Sequence, residues 1–474
     1  MQDKVIQSLE KAIQLAGLED GMTISFHHHL RNGDHCMVLA LRAIEKLGIK
    51  DLTINASSFF DSQAETVIDL VHKGVITGLE CNYMASQLGT AVSHGLLKKP
   101  VLFRTHGGRA YDLARGASPV DVAFIAAPTA DRMGNLTGKE GPAACGSLGY
   151  AFADAEFAKK TIAVTDNLVP APLASFSIAE NFIDYVVEVE SIGDPAGIVS
   201  GTTKVTRDPV GLLIAEKAAQ LIEASGLLQD GFSFQTGAGG TSLAVAAEVR
   251  TMMQNKKIQG SFAMGGITSM LVDMLKEGLF QTIMDVQCFD LGAVESIRTN
   301  PRHREITALH YASPSGNPIC ASSLADSLDV VILGATEMDT SFNVNVHTDS
   351  SGKIMGGSGG HSDTAAGAKL AIIVAPLMRA GRPLLRDRVK CISTPGSTID
   401  ALVTQFGIAL NPARQDLLEK VQAAGLPTMT IEEMKALAET YTGVPHIREN
   451  HEPIVAKIQY RTGEIIDELP GVPS

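Results

Sequence analysis

Short apolar runs alternate with longer amphipathic stretches along most of the chain. Over 4–16, apolar residues recur at the spacing of one helical face, and the run 22–26 after Gly21 has the length of a strand. Further strand-like runs, bounded by glycine, proline or charge, lie at 52–55, 75–79, 100–103, 120–126 and 161–164. This alternation predicts an α/β fold with open, mostly parallel sheets that are covered by helices on both faces.

The pattern of the first half returns in the second half. Asp20-Gly21 recurs as Asp230-Gly231, and each pair precedes a strand-like run. Three further polar residues recur at a constant offset: Asp121 as Asp329, Asp131 as Asp339 and Asn135 as Asn343. Several matches in the same order predict two tandem domains related by internal duplication.

The repeat places the two domains at residues 1–203 and 204–474. Turn signals at Asp194-Pro195 and Asp208-Pro209 lie close to the join. Near the carboxyl terminus, apolar and polar residues alternate over 454–466 around a glycine-containing turn. That alternation predicts a hairpin, which we expect to close the second domain.

Composition narrows the class of protein. The 474 residues carry a formal net charge of −13, with 45% hydrophobic and 19% charged residues, which is typical of a folded globular protein. An acidic balance argues against nucleic acid or an anionic membrane as a partner. No run approaches the roughly 20 apolar residues of a membrane span. The six cysteines are scattered without a C-x-x-C pair, so we expect a cytoplasmic protein with reduced thiols.

A glycine-rich segment follows the second-half strand that begins after Gly231. It consists of Gly237, Ala238, Gly239, Gly240 and Thr241 and precedes a helix-like stretch. Glycines at a strand-to-helix turn expose main-chain N–H groups, which can hold a phosphate or a developing oxyanion. The segment lacks both the dinucleotide fingerprint and the lysine of a P-loop. A tight turn without chemical function is the alternative interpretation.

Three histidines and an arginine end the corresponding strand of the first half. His27 and His29 share one face of an extended chain, while His28 and Arg31 complete the group. A metal site, an anion site and a solvated loop are all compatible with this pattern. Because the group takes the place that the glycine segment takes in the second half, a functional role is favoured.

Two further segments carry candidate chemistry. His106, Gly107, Gly108 and Arg109 follow a short strand, and a guanidinium fork beside a glycine turn suits a polycarboxylate, although a solvated arginine is equally compatible. The second segment consists of Gly359, Gly360, His361, Ser362 and Asp363. Adjacent residues rarely form a Ser-His-Asp triad, so we interpret these as polar groups that shape a substrate pocket.

Acidic and amide side chains follow the predicted strand 330–333. Glu337, Asn343 and Asn345 lie where open α/β sheets usually bind ligands. Turns stabilised by an Asp or Asn side chain are the structural alternative for at least one of them.

The assembled motifs resemble the alpha subunits of bacterial citrate lyase over roughly residues 3–468. The similarity depends on seven segments, namely 20–28, 106–109, 145–150, 235–240, 342–346, 359–367 and 411–416. The resemblance implies two CoA-transferase-like domains. It also implies transfer of a thiol carrier from acetate to citrate, which gives a citryl-thioester and acetate.

The resemblance also implies partners and site roles. The co-substrate would be acetyl-CoA, or the phosphopantetheine-type thioester of an acyl carrier protein (gamma) subunit. A citryl lyase (beta) subunit would cleave the product in an oligomer that needs no metal. Gly239, Gly240, Glu337 and Asn343 are the expected catalytic residues, and the other residues of the glycine segment would bind the co-substrate. We expect citrate to contact the two histidine-containing segments of the first half, Asn345 and the segment 359–363.

A related class of CoA-transferases carries a nucleophilic glutamate shortly after a motif like Asn343-Val344-Asn345. His347 and Thr348 stand there in this chain, so the incoming acid is expected to attack the thioester directly. Three other functions remain alternatives: a stand-alone CoA-transferase or thioester hydrolase, a citramalate lyase alpha subunit, and a ligand sensor without catalysis.

Overall fold

A computed structural model describes residues 3–199, 203–445 and 452–473. The first half contains eleven strands: β1 (Val5–Ile6), β2 (Thr23–Phe26), β3 (Leu52–Ala56), β4 (Ile76–Cys81), β5 (Val101–Phe103), β6 (Val122–Ala126), β7 (Thr129–Asp131), β8 (Leu136–Thr137), β9 (Lys160–Thr165), β10 (Leu168–Val169) and β11 (Tyr185–Glu188). The helices of this half are α1 (Leu9–Ala16), α2 (Cys36–Leu47), α3 (Asp61–His72), α4 (Ser86–Ser93), α5 (His106–Ala114) and α6 (Ala151–Phe157).

The second half is built from the same kinds of element. Its strands are β12 (Ser233–Thr236), β13 (Gly260–Ile267), β14 (Phe280–Cys288), β15 (His303–Glu305), β16 (Val330–Leu333), β17 (Glu337–Asp339), β18 (Val344–Asn345), β19 (Leu370–Val374), β20 (Met378–Arg379), β21 (Arg382–Pro383), β22 (Leu385–Arg386), β23 (Ala401–Thr404), β24 (Gly407–Leu410), β25 (Ile454–Gln459) and β26 (Ile465–Pro470). Its helices are α7 (Pro209–Ser225), α8 (Gly240–Lys256), α9 (Ser269–Lys276), α10 (Leu291–Thr299), α11 (Ala308–Ala312), α12 (His361–Gly367), α13 (Gln415–Ala423) and α14 (Ile431–Thr442).

Two large sheets organise the fold. The first has the strand order β1-β11-β9-β6-β2-β3-β4-β5-β25-β26, and the second has the order β15-β14-β13-β12-β16-β19-β23-β24. Every pairing in them is parallel except β25 with β26 and β23 with β24. Central strands such as Val122–Ala126 are buried at every position, as expected where helices cover both faces. The predicted α/β class with mostly parallel sheets is confirmed.

The repeat in the sequence is also a repeat of topology. The order β11-β9-β6-β2-β3-β4-β5 of the first sheet corresponds to β23-β19-β16-β12-β13-β14-β15 of the second. The repeated aspartates perform the same local task in both halves. The Asp121 carboxylate accepts the Thr23 N–H at 2.8 Å, and the Asp329 carboxylate accepts the Ser233 N–H at 2.8 Å. Each carboxylate thus fixes the start of a central strand.

The carboxyl-terminal hairpin forms as predicted but belongs to the other sheet. β25 pairs in parallel with β5, with Ala456 opposite Val101, so the hairpin extends the first sheet and not the second. Alternation along 454–466 reports which residues face a core but carries no information about which sheet edge accepts the strand. The expectation that this hairpin closes the domain 204–474 is corrected. The boundary at 203/204 stays a prediction, and residues 200–202 lie outside the described residues.

Each large sheet and the helices that cover it are called a lobe below: the first lobe contains β2 and the second contains β12. Among the described residues, none of the helices combines the length and the apolarity needed to cross a bilayer. All six cysteines are buried and none is in a disulfide.

Candidate active site

The two central strands of the repeat, β2 and β12, end in a continuous group of contacts. In each sheet the central strand is flanked on one side by its successor in the chain and on the other by a later strand, which is where open α/β sheets bind ligands. Gln235 on β12 donates from Nε2 to the Tyr311 hydroxyl oxygen at 3.0 Å. On the β2 side, the His106 ring lies 4.3 Å from the Tyr150 ring, measured between centroids. The segment 359–360 separates the two pairs.

Glycine is required at both positions of that separating segment. A Cβ on Gly359 would lie 3.2 Å from Nε2 of His106, and a Cβ on Gly360 would lie 2.5 Å from the Tyr311 hydroxyl oxygen. Gly359 also has a φ of 51°, in the left-handed region that favours glycine. The predicted pocket-shaping role of these two glycines agrees with their position between the two lobes.

His27 and His29, the outer two of the three histidines after β2, contact each other through their ring nitrogens. Nε2 of His27 accepts the Ala126 N–H at 2.9 Å, so His27 carries its proton on Nδ1, which lies 2.5 Å from Nδ1 of His29. Burial lowers the pKa of His27 to about 4 and that of His29 well below its usual range. Both rings are therefore neutral at pH 7.

This bonding argues against the metal interpretation. Both ring nitrogens of His27 are already engaged, one by a main-chain N–H and one by His29. Within 3–199, 203–445 and 452–473, no cluster of three or more His, Cys, Asp or Glu side chains is arranged to hold a metal ion.

His28 forms the centre of an aromatic stack. Its ring lies 4.8 Å from the Tyr150 ring and 5.4 Å from the His106 ring, while its Nδ1 is 2.6 Å from the Ser57 hydroxyl. Burial lowers the pKa of His28 well below its usual range and that of His106 to about 3. Nδ1 of His106 is buried and finds no partner among the described residues. A ligand could therefore bond to this nitrogen.

Arg31 carries an unpaired positive charge at the edge of the stack. Its guanidinium carbon lies 5.3 Å from the Phe60 ring centroid and 4.9 Å from the Phe289 ring centroid, so two aromatic faces hold it. Within the described part of the chain the guanidinium forms no ion pair, and its Nη1 is buried without a partner. Burial lowers the pKa of Arg31, but an arginine remains protonated at neutral pH.

The backbone of Arg31 is strained as well. Its φ of 53° is in the left-handed region, which costs a non-glycine residue about 1–3 kcal/mol. Phe60 comes from the first lobe, and Phe289 follows β14 of the second lobe. A strained, unpaired cation held between the lobes is well suited to a carboxylate ligand.

Gly107 and Gly108 lie in the first turn of α5, at the contact between the two lobes. The Asp363 carboxylate of the second lobe accepts the Gly107 N–H at 2.8 Å and the Thr105 hydroxyl at 2.6 Å. A Cβ on Gly107 would lie 2.1 Å from the Ala312 carbonyl oxygen. Burial raises the pKa of Asp363 to about 6. We assign Gly107, Gly108 and Asp363 to this junction, in place of the predicted contact with substrate.

Arg109 lies in the core of the first lobe. Its guanidinium donates to the Asn55 side-chain oxygen at 2.6 Å and forms two bonds to the Asp154 carboxylate, the shorter at 2.6 Å. Arg109 is 3% exposed and Asp154 is 0% exposed. No bidentate face of the guanidinium is left for a substrate. The predicted role of Arg109 in binding a polycarboxylate is corrected, and the contact predicted for Arg31 stays a prediction.

The acidic and amide residues after β16 are engaged in structural bonds. Buried Glu337 faces Nε of Arg386 at 3.2 Å and accepts from Asn345 Nδ2 at 3.2 Å. Asn343 donates to Asp339 at 3.1 Å and accepts the main-chain N–H of residue 396 at 2.9 Å. Oε2 of Glu337 and the side-chain amides of Asn343 and Asn345 are thus bonded within the protein, while Oε1 of Glu337 is buried beside Arg386 without a hydrogen bond among the described residues. The placement argues against the predicted catalytic roles of Glu337 and Asn343 and against a substrate contact for Asn345.

His361 and Ser362 begin α12 and also face inward. His361 donates from Nε2 to the Gly334 carbonyl at 2.9 Å and lies 2.7 Å from the Thr394 hydroxyl through Nδ1. Burial lowers the pKa of His361 to about 4. Ser362 is fully buried, and its hydroxyl has no partner among the described residues. We assign both to the packing of α12 and not to substrate binding.

The glycine segment begins the 17-residue helix α8 without a side-chain cap. The N-cap residue is Gly239, whereas α7 and α5 are capped by the side chains of Asp208 and Thr105. Across the described residues, no acceptor bonds the main-chain N–H groups of 238–242. Gly239 is exposed, and 237, 238, 240 and 241 are half-buried. The segment therefore presents free N–H donors at a helix start, as an oxyanion or phosphate requires.

Several residues of the site were not predicted. They are mainly aromatic and amide groups that the fold brings together from distant segments, namely Phe60, Tyr150, Gln235, Phe289 and Tyr311. Tyr150 and Gln235 do lie at the ends of segments that carried the family resemblance. Phe60, Phe289 and Tyr311 are surrounded by ordinary core sequence that gives no local signal.

Known proteins similar to this chain agree with one another. The model of the family "Citrate lyase, alpha subunit (CitF)" matches residues 2–472. The citrate lyase alpha chain of Klebsiella pneumoniae is 44% identical over 468 residues, which cover 99% of this chain and 91% of the relative. The corresponding chain of Escherichia coli K12 is 44% identical over 464 residues, with 98% and 90% covered.

Solved structures support the same comparison. The putative alpha subunit of citrate lyase from Streptococcus mutans, in complex with citrate, superposes with a TM-score of 0.96 at 44% identity and covers 100% of this chain and 92% of its own. The malonate decarboxylase alpha subunit from Acinetobacter baumannii has a TM-score of 0.68 at 16% identity, with 94% and 93% covered. This second likeness concerns the fold alone.

Proposed function

Because the chain belongs to the citrate lyase alpha-subunit family, whose members are the transferase component of citrate lyase, we propose that it exchanges acetate for citrate on an acetyl-thioester. The products are a citryl-thioester and free acetate. The thiol belongs to CoA or to the phosphopantetheine-type arm of an acyl carrier protein (gamma) subunit. A citryl lyase (beta) subunit then cleaves the product within a larger assembly.

The unpaired guanidinium of Arg31 is the observation that carries this proposal. Citrate is an anion with several carboxylates, and a half-buried cation without a partner gains most from such a ligand. His28 and His106 are neutral, so they add polar and aromatic contacts without competing for the charge. A relative of 44% identity has been solved with citrate bound.

The chemistry requires two acyl transfers. A citrate carboxylate oxygen attacks the acetyl carbonyl carbon, the carbon–sulfur bond breaks, and a mixed anhydride and a thiolate are formed. The thiolate then attacks the citryl carbonyl of the anhydride and acetate leaves. One thioester replaces another, so the exchange needs neither ATP nor a metal. Holding both acids in one cleft provides a large entropic advantage.

Main-chain N–H groups of the glycine segment would stabilise the oxyanion of each step. Those of Gly239 and Gly240 are free and lie at the start of a long helix, where the helix dipole also favours negative charge. Loss of one such donor typically costs about 2.7–4 kcal/mol of transition-state stabilisation. Gly237, Ala238 and Thr241 would contact the thioester arm beside them.

In this proposal no side chain is acylated. Glu337 is buried against Arg386, and His347 stands where a related class has its glutamate. His347 is 1% exposed and lies 2.7 Å from the Ser393 hydroxyl, and burial lowers its pKa to about 3. Neither residue is available as a nucleophile.

The test is to incubate the purified chain with acetyl-CoA and a panel of di- and tricarboxylates and to follow new thioesters by mass spectrometry. We expect citryl-CoA and free acetate to form at equal rates. Formation of citramalyl-CoA alone would mean that citramalate, and not citrate, is the substrate. Binding of citrate without any new thioester would contradict the transferase function and favour a sensor.

A second measurement separates direct attack from a covalent route. After mixing with acetyl-CoA alone, hydroxylamine or borohydride treatment followed by peptide mapping should find no modified carboxylate. A modified glutamate would contradict the anhydride mechanism and favour a stand-alone CoA-transferase or a thioester hydrolase. The acyl-transfer activity itself would stand.

A further inference from the structure

A cavity of about 330 Å³ lies at the carboxyl ends of β16 and β19. Ala335 and Thr336 after β16, and Ala375 and Pro376 after β19, form part of its wall. β16 pairs with β12, whose end carries the glycine segment. The cavity therefore lies at the end of the strand next to β12, and none of its lining residues belongs to the glycine segment that would supply the oxyanion donors.

A short ribbon with two arginines lines this cavity. β20 and β21 pair antiparallel with Arg379 directly opposite Arg382, and both side chains line the cavity. The turn residues Ala380 and Gly381 have φ values of 50° and 73°, as two-residue hairpin turns require. Ala380 pays a strain cost there because it is not glycine. The tight turn holds the main chains of Arg379 and Arg382 opposite each other.

Among the described residues that line the cavity, carboxylates offset this pair of charges only in part. Like charges directly opposite each other destabilise a ribbon, and in the described segments neither Arg379 nor Arg382 has an ion pair or a side-chain hydrogen bond. Nearby Arg386, by contrast, is paired with Glu337. The one carboxylate in the cavity's described lining, Asp349, uses Oδ1 to accept main-chain N–H groups of its own turn. Asp349 can balance at most one of the two charges, so in a chain of net charge −13 this arginine pair keeps a net positive charge, which favours an anionic ligand.

We propose that the ribbon of Arg379 and Arg382 binds the phosphate of the phosphopantetheine arm of the co-substrate. The inference rests on the proposed function and names where the non-reacting end of the thioester is held. Guanidinium forks bind the anionic oxygens of a phosphate group bidentately, whether it is a phosphodiester on a carrier protein or part of the diphosphate of CoA. Leu384 and Met355 of the lining supply apolar surface for the pantetheine chain, and Met355 is 44% exposed without it.

The same phosphate is present in CoA and on an acyl carrier protein, so the ribbon would serve either source. In CoA a further part, adenosine 3′,5′-bisphosphate, extends beyond it. The ribbon is expected to recognise the phosphate that both sources share and not the nucleotide.

The test is isothermal titration calorimetry on the full chain with 4′-phosphopantetheine, pantetheine and adenosine 3′,5′-bisphosphate. We expect the wild type to bind 4′-phosphopantetheine at least tenfold more tightly than pantetheine, and the double variant R379A/R382A to lose that difference. The single variants R379Q and R382Q should each bind 4′-phosphopantetheine several-fold more weakly than the wild type. They provide the test if the double variant folds poorly. R388A is the matched control, since Arg388 is exposed nearby and does not line the cavity.

Two results would overturn the inference. One is a folded double variant that binds 4′-phosphopantetheine as the wild type does. The other is a double variant that loses only adenosine 3′,5′-bisphosphate, because the arginines would then hold the nucleotide. If the wild type forms no citryl-thioester but shows the ribbon-dependent preference, the proposed function fails while the phosphate site stands.

Discussion

The strands β2 and β12 take the same place in the repeated sheet order, yet different kinds of group follow them. After β2 come three buried histidines and an arginine without an ion pair among the described residues, all of which offer polar side chains. After β12 comes a segment with three glycines, which can act only through its main chain. The two sides are linked through Gln235 of β12, which contacts Tyr311, and through Gly360 and Gly359, which lie against Tyr311 and His106.

Under the proposed function, this difference divides one reaction between the two halves of a duplicated fold. Side chains provide charge and shape, which distinguish one acid from another. Main-chain N–H groups provide donors to an oxygen atom that every thioester and anhydride shares. A transferase that exchanges acids on one thiol needs both, and two copies of one strand end can evolve separately to provide them.

The largest effect is expected for Arg109, which the structure places in the core of the first lobe and not among the groups that follow β2. Arg109→Ala leaves the buried Asp154 carboxylate without its partner, and breaking such a pair costs about 3–5 kcal/mol. We expect that loss in the free energy of unfolding by urea, with an unchanged KM for citrate in the protein that remains folded. The double variant R109M/D154L should recover most of the stability, because it removes both charges. A selective rise in KM without a stability loss would return Arg109 to the binding site.

The next effect concerns the main-chain donors of the second half. Gly240→Pro removes one N–H at the first position of α8, where a proline is tolerated, and the preceding residue already has an extended ψ of 148°. We expect kcat to fall by about 10²–10³-fold. Steady-state kinetics of citryl-CoA formation provide the measurement.

Gly240→Ala is the matched control for this variant. It places the same Cβ against the Lys204 carbonyl at 3.1 Å but keeps the N–H. It should retain most of the activity that the proline variant loses. Equal losses in both variants would mean that crowding, and not the donor, is responsible, and full activity in the proline variant would reduce the segment to a turn.

Arg31 tests the side-chain half of the comparison. Arg31→Gln keeps a polar group between the two phenylalanine rings but removes the charge, so we expect KM for citrate to rise about 10²-fold, since losing one partner of a buried charge pair costs about 2–5 kcal/mol. KM for acetyl-CoA should change little. Arg304→Gln is the control because Arg304 is exposed on β15. A loss shared equally by both substrates would contradict a specific role for Arg31.

The smallest effect concerns the neutral histidines of the two halves. Burial lowers the pKa of His347 to about 3 from the usual 6.5, so the unfolded chain binds the proton more readily and stability falls as the pH falls below 6.5. Between pH 6.5 and 5 this amounts to about 2 kcal/mol for each such histidine. Urea unfolding at pH 6.5 and at pH 5 gives the loss of unfolding free energy on acidification. This loss should be smaller for His347→Gln than for the wild type by about 2 kcal/mol. An identical loss would mean that the pKa of His347 is the same in the folded and the unfolded chain.

The sequence predicts those parts of the molecule that depend on local pattern. Alternating runs identify the strands, and the repeated aspartates identify equivalent strand starts, because each carboxylate bonds a main-chain N–H of a neighbouring strand. The family resemblance identifies the transferase. The glycine segment is predicted at a strand-to-helix turn, and the structure has free N–H groups there.

The sequence could not separate residues whose roles depend on distant partners, since it predicts the same kind of substrate contact for Arg31 and for Arg109. Arg31 and Arg109 both stand beside histidine or glycine residues in the sequence, and only the fold places Asp154 next to Arg109 and Phe289 next to Arg31. The same holds for Asp363, whose carboxylate finds its N–H donors in the other lobe. The hairpin 454–466 was predicted as a shape, but its partner strand β5 could not be read from its alternation.

A crystal structure of this chain with citrate and CoA tests the division of labour most directly. The account predicts a citrate carboxylate within hydrogen-bond distance of the Arg31 guanidinium and the CoA sulfur beside the N–H groups of Gly239 and Gly240. Citrate bound away from an Arg31 that still has no partner, or a thiol remote from the glycine segment, would contradict it.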